Sequence, residues 1–163
     1  MIKYISHAVT FAEVPDEISL TLSISNCGGH CKECHSPELR QDIGEDLEAD
    51  LPKLIKKYGN QITCVCFLGQ GNDTEALNEC IQYAHWHGYK TCLYTGYEDY
   101  PTLNYLDYLK VGPYLPERGG LDNPNTNQRM YRFYRQYAAS NPAFEVCSPF
   151  VDDITYKFWR KKG

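Results

Sequence analysis

Short apolar runs and longer amphipathic ones follow each other along the first two thirds of the chain. Ile18-Ser19-Leu20-Thr21-Leu22-Ser23-Ile24 alternates apolar and polar residues, which predicts a strand with Ile18, Leu20, Leu22 and Ile24 on one buried side. The spacing then turns helical. Leu51, Leu54, Ile55 and Tyr58 share a face, Asp50 is placed to cap the first turn, Pro52 is tolerated within that turn, and Gly59 stops the run. Ile62 to Leu68 is a continuous apolar run with β-branched residues, the pattern of a strand covered on both faces. Gly69-Gln70-Gly71-Asn72 predicts a tight loop. Asp73 then caps a second helix, with Ala76, Leu77, Cys80, Ile81 and Ala84 on its stripe and Gly88 at its end. Tyr89 to Tyr94 predicts a third strand. Strand, helix, strand, helix, strand implies an α/β fold with right-handed crossovers and a mostly parallel sheet.

The second half is less regular. Tyr105 to Val111, Met130 to Tyr134 and Phe144 to Cys147 are further strand candidates. Pro113 to Gln128 contains Pro116, Gly119, Gly120 and Pro124 and predicts a long loop; loops of that length in compact domains tend to be functional. No repeat, low-complexity segment or linker divides the chain, so residues 1–163 are expected to form one domain.

Charge and composition narrow the function classes. A net charge of -5 argues against general nucleic-acid binding, which needs clustered Lys and Arg on phosphates. The basic run from Lys157 to Lys162 is either a solvated end or a docking edge for a partner. No segment approaches the ~20 apolar residues of a membrane helix. Met1 to His7 lacks the apolar stretch of a secretion signal, so the expected compartment is the reducing cytoplasm. Eight cysteines are many for such a chain. Structural disulfides are disfavoured there, and metal binding is the natural use of some of these thiols.

The informative stretch is Cys27-Gly28-Gly29-His30-Cys31-Lys32-Glu33-Cys34-His35, directly after the first predicted strand. Soft thiolates at C-x3-C-x2-C spacing on a short loop suit an iron–sulfur cluster or zinc. With a four-iron cluster, Cys27, Cys31 and Cys34 leave one iron open to a small molecule, which is a basis for catalysis. Zinc completed by His30 or His35 competes with this reading, as do a c-type haem on Cys31-Lys32-Glu33-Cys34-His35 and a set of free thiols. The haem reading leaves Cys27 idle. Cys64, Cys66, Cys80 and Cys92 sit among apolar neighbours and read as core. Cys147 fits either packing or redox chemistry. His85 and His87 fall at a helix end and receive no chemistry.

The cysteine spacing after a first strand resembles the radical S-adenosylmethionine superfamily. That resemblance implies a minimal partial (β/α) barrel, a [4Fe-4S] cluster on Cys27, Cys31 and Cys34, and S-adenosyl-L-methionine chelating the open iron. Reductive cleavage then yields a 5′-deoxyadenosyl radical, with no catalytic residue beyond the cluster and its ligand. The loop Gly69, Gln70, Gly71 stands where the superfamily has a Gly-Gly-Glu-like segment near the methionyl amino group. Here Gln70 replaces the second glycine and Gly71 the acidic residue, so a backbone role survives and an acidic side-chain role does not. Thr95 and Gly96 end the third strand and are expected near the same ligand. Within the superfamily the chain is similar to the activating proteins of anaerobic ribonucleoside-triphosphate reductases. The likeness lies in the short length, Asp107 to Tyr114 with Gly112-Pro113-Tyr114, Gly119-Gly120-Leu121 and Thr126-Asn127-Gln128-Arg129. It implies that the partner is the glycyl radical subunit of that reductase, with an electron donor such as a flavodoxin. An activase of another glycyl radical enzyme, a small-molecule radical enzyme and a non-catalytic zinc or iron–sulfur module remain the alternatives.

Overall fold

The structure, a computed structural model, describes residues 1–25, 42–97, 105–134, 137–138, 141–145 and 150–159. Along these residues run β1 (Lys3–Thr10), β2 (Ser19–Ile24), β3 (Glu45–Asp46), α1 (Leu47–Tyr58), β4 (Cys64–Leu68), α2 (Thr74–Trp86) and β5 (Lys90–Tyr94). They continue with β6 (Tyr108–Val111), β7 (Arg129–Tyr134), β8 (Tyr137–Ala138), β9 (Asn141–Glu145), β10 (Phe150–Asp153) and a 3-10 turn over Thr155–Phe158. One sheet has the order β10-β7-β6-β5-β4-β2-β1-β3, and β8 pairs with β9 apart from it. No helix among the described residues is long and apolar enough to cross a membrane.

The centre of the sheet follows the sequence pattern. β2, β4, β5 and β6 are parallel neighbours, because a parallel return needs a crossover and α1 and α2 supply two of them. The margins do not. β1 and β3 on one side and β7 and β10 on the other are all antiparallel, so antiparallel pairings outnumber parallel ones. The expectation of a mostly parallel sheet is corrected accordingly: the parallel strands are confined to the centre, the strands at both margins pair antiparallel, and β1 and β10 carried no recognised signal.

Helix starts are decided by burial. α1 is capped by Asp46, whose Oδ1 accepts from the Ala49 N–H at 3.2 Å, and not by Asp50. Leu47 is fully buried and extends the apolar stripe one turn earlier. Asp50 instead accepts from the Tyr4 hydroxyl at 2.9 Å, and Pro52 lies inside the helix. Asp73 caps α2 as its position predicts, accepting from the Ala76 N–H at 3.0 Å.

Strand alternation gives the sheet two unlike faces. On one, Leu20, Leu22, Ile24, Val65, Phe67 and Leu93 pack against the apolar stripes of both helices. The other carries Cys64, Cys66, Cys92, Tyr108 and Met130, covered by Val14, Leu121 and Ile154 from loops. Ser19 and Thr21 are buried on this second face, in register with Cys64 and Cys66. All four sheet and helix cysteines, Cys64, Cys66, Cys80 and Cys92, are buried and unpaired. Burial pushes the Cys64 and Cys92 thiols well up and that of Cys80 up to about 12.

Candidate functional site

Because β2, β4, β5 and β6 run the same way, their carboxyl ends share one edge of the sheet, where α/β folds bind ligands. β4 leads into Gly69, whose N–H donates to the Tyr94 carbonyl at 3.0 Å. Gly69 has φ +107°, and a Cβ there would lie 3.3 Å from the Ile24 carbonyl oxygen. Gly71, at φ +64°, would put a Cβ 3.0 Å from Ile24 Cγ2. Both positions need glycine, for handedness and for close approach to the end of β2.

Thr95, 1% exposed, follows β5. Its hydroxyl donates to Gln70 Oε1 and accepts from the Tyr97 N–H, and its own N–H donates to the Lys110 carbonyl at 2.9 Å. The Gly112 N–H donates to the Tyr97 carbonyl at 2.7 Å. Gly69, Gln70, Gly71, Thr95 and Gly96, which lies between Thr95 and Tyr97, are therefore on one edge, cross-linked by hydrogen bonds.

The same edge holds Lys110, to which the sequence reading gives no role. Lys110 in β6 is 8% exposed, and its ammonium donates to the Gly112 carbonyl at 2.9 Å and the Thr95 carbonyl at 3.3 Å. It also lies 5.8 Å from the centre of the Tyr94 ring, a favourable placement over an aromatic face. Burial pushes the Tyr94 phenol well up, so it stays protonated and donates to the Glu13 carbonyl. The run Thr126-Asn127-Gln128 ties the long loop shut. Thr126 Oγ1 donates to the Gly119 carbonyl, Asn127 Nδ2 to that of Pro113, and Gln128 Nε2 to that of Gly112. A lysine inside the apolar strand Tyr108–Val111 was the available signal; the loop contacts had none, since side chain–carbonyl bonds across a long loop leave no periodicity.

Cys27, Cys31 and Cys34 lie outside the described residues, as do His30, His35 and Cys147. Ser25, the last described residue before them, is fully buried, and both its N–H and its hydroxyl donate to the Lys3 carbonyl, at 3.0 and 3.2 Å. The chain thus leaves for the cysteine run from the carboxyl end of β2, beside Gly69 and Gly71. Among the described residues no group of three His, Cys, Asp or Glu is arranged to hold a metal ion.

Other sequence candidates fall elsewhere. His87 stacks on Tyr83 at 4.0 Å between ring centres and, with His85, sits at the end of α2 away from this edge. Lys157 pairs with Asp16 at 2.7 Å, on the loop that precedes β2; Arg160, Lys161 and Lys162 lie outside the described residues. Comparison of the chain with protein-family models, with curated proteins and with solved structures finds no match.

Proposed function

We propose that the protein is a cytoplasmic radical S-adenosylmethionine enzyme of partial-barrel type that activates an anaerobic ribonucleoside-triphosphate reductase by installing a glycyl radical. One observation carries the reading. The loops after β4, β5 and β6 lie together on the edge from which β2 hands the chain to the C-x3-C-x2-C run. A ligand chelated at such a cluster would meet these loops first.

The donor set of Cys27, Cys31 and Cys34 suits a [4Fe-4S] cluster with one open iron. When bound, that cluster supplies the electron that opens the sulfur–carbon bond of S-adenosyl-L-methionine, and so the hydrogen-abstracting chemistry. The rest falls to this chain's residues. A Cβ at Gly69 or Gly71 would press on Ile24, so a ligand over 69–71 would meet main-chain groups and the Gln70 side chain. Thr95 fixes Gln70, which keeps that loop in place. The locked loop from Gly112 to Gln128 offers a firm rim to a macromolecular substrate, which has to bring its glycine to contact distance. A flavodoxin-like donor would serve as the source of electrons.

The test is anaerobic reconstitution with iron and sulfide, followed by reduction with S-adenosyl-L-methionine and a matched reductase. A brown protein that bleaches on reduction, deoxyadenosine by chromatography and a glycyl radical signal by electron paramagnetic resonance are expected together. Deoxyadenosine without a glycyl radical on the reductase would point to a small-molecule substrate or another glycyl radical enzyme. A colourless zinc protein would end the enzymatic reading.

A further inference from the structure

We infer that Lys110 is the positioning residue of this edge, the group that holds the loops after β5 and β6 together as one ligand-facing unit. The inference rests on the functional reading above for what the edge binds, but not for what Lys110 does. At the carboxyl ends of β5 and β6 two backbone bonds still join the segments, from the Thr95 N–H to the Lys110 carbonyl and from the Gly112 N–H to the Tyr97 carbonyl, and side-chain links add to them. Lys110 sits at that point, on the loop-covered face of the sheet, with Tyr94 beside it in register. Its ammonium reaches Thr95 O on one loop and Gly112 O on the other. Gly112 O also accepts from Gln128 Nε2 at 3.3 Å, so the charge ties the far end of the long loop into the same unit. On the other side, the Thr95 hydroxyl reaches Gln70. The links form a continuous series: Gln70, Thr95, Lys110, Gly112, Gln128.

Burying an ammonium is costly, and apolar residues would pack a strand interior more simply. Its two carbonyl bonds here are charge-assisted, stronger than neutral ones, and add to the two backbone bonds that join these segments. Lys110 therefore acts on a ligand through the backbone of Thr95 and Gly112, as a positioning rather than a catalytic residue.

The experiment compares wild type with Lys110→Met, which keeps length and removes the donors, and Lys110→Gln, which keeps a donor and removes the charge. Amide hydrogen exchange is read on the ligand-free protein at Thr95, Tyr97 and Gly112. Deoxyadenosine kinetics are read on the reconstituted one. Expected for Lys110→Met is at least tenfold faster exchange at Gly112 and Tyr97, a tenfold or larger rise in KM for S-adenosyl-L-methionine, and kcat at saturation within about threefold of wild type. Lys110→Gln should recover most of both. A raised KM with unchanged exchange in Lys110→Met overturns the inference, since the charge would then act on the ligand directly. Unchanged exchange and unchanged KM overturn it as well. If Lys110→Met does not fold, Lys110→Gln decides alone: near-native exchange and KM support the inference, and loss of either overturns it. Should wild type make no deoxyadenosine, the enzymatic reading falls by itself, and the exchange data still decide whether Lys110 holds the loops.

Discussion

The two faces of the central sheet are built from the same strands and differ in almost every other respect. Alternate residues of β4 show it best. Val65 and Phe67 enter an aliphatic and aromatic layer under α1 and α2, while Cys64 and Cys66 enter a layer of thiols, hydroxyls and phenols roofed by loops. The helix-covered face is mainly apolar, with side chains that gain chiefly from leaving water. The loop-covered face buries polar groups beside apolar ones, and it includes Lys110 at the carboxyl-end edge of the sheet. The two layers thus differ in what covers them and in how much polar surface they bury.

The comparison can be broken or sharpened by substitution. The largest expected effect is outright loss: on the proposed reading Cys27→Ala, Cys31→Ala or Cys34→Ala each abolishes S-adenosyl-L-methionine cleavage, whereas Cys80→Ala, under the helices, leaves it nearly intact. Deoxyadenosine formation by the four folded variants decides this, and an inactive Cys80→Ala would reverse the ligand assignment.

Next comes Phe67→Ala on the helix-covered face, which should cost about 3–5 kcal/mol in urea unfolding, from lost burial and a cavity. Its neighbour Cys66→Ala on the other face should cost ~1 kcal/mol. Equal losses would mean that the faces contribute alike.

Gly69→Val comes third. With φ at +107° a side chain there is strained, and Ile24 O, 3.3 Å from a Cβ, is crowded, so S-adenosyl-L-methionine affinity should fall about tenfold, ~1.4 kcal/mol, with iron content unchanged. Unaltered affinity would remove this loop from the site.

A smaller effect concerns pH. Burial raises the Cys64 and Cys92 thiols in the folded state. Above an unfolded thiol value of about 8.5 the unfolded chain releases protons that the folded chain keeps. Their contribution is therefore full below that pH and is lost as pH rises toward the folded values. Urea midpoints between pH 8 and pH 10 should fall, and Cys92→Ala should flatten the decline. Smallest of all, Lys157→Ala removes an exposed pair with Asp16 and should change stability by less than about 1 kcal/mol, a difference that salt erases.

Much of this protein is legible in its sequence because periodicity reports local burial. The alternation of Ile18 to Ile24, the apolar run ending at Leu68, the cap at Asp73 and the turn glycines at 69 and 71 are each decided within a few residues, and each lies where the pattern puts it. The thiol spacing at 27, 31 and 34 is likewise a local fact, and the proposed chemistry rests on it. Tertiary structure alone decided the rest. Asp46 outcompetes Asp50 as a cap because Leu47 finds a core built by distant strands. The antiparallel margins rest on the pairing of β1 with β2 and of β7 with β6, which no local pattern specifies. Lys110 acquires its place only when Thr95 and Gly112, far apart along the chain, are brought within reach of one ammonium. A pattern of spacing records which side of an element is buried; it does not record which partner, across the sheet, will satisfy a buried polar group.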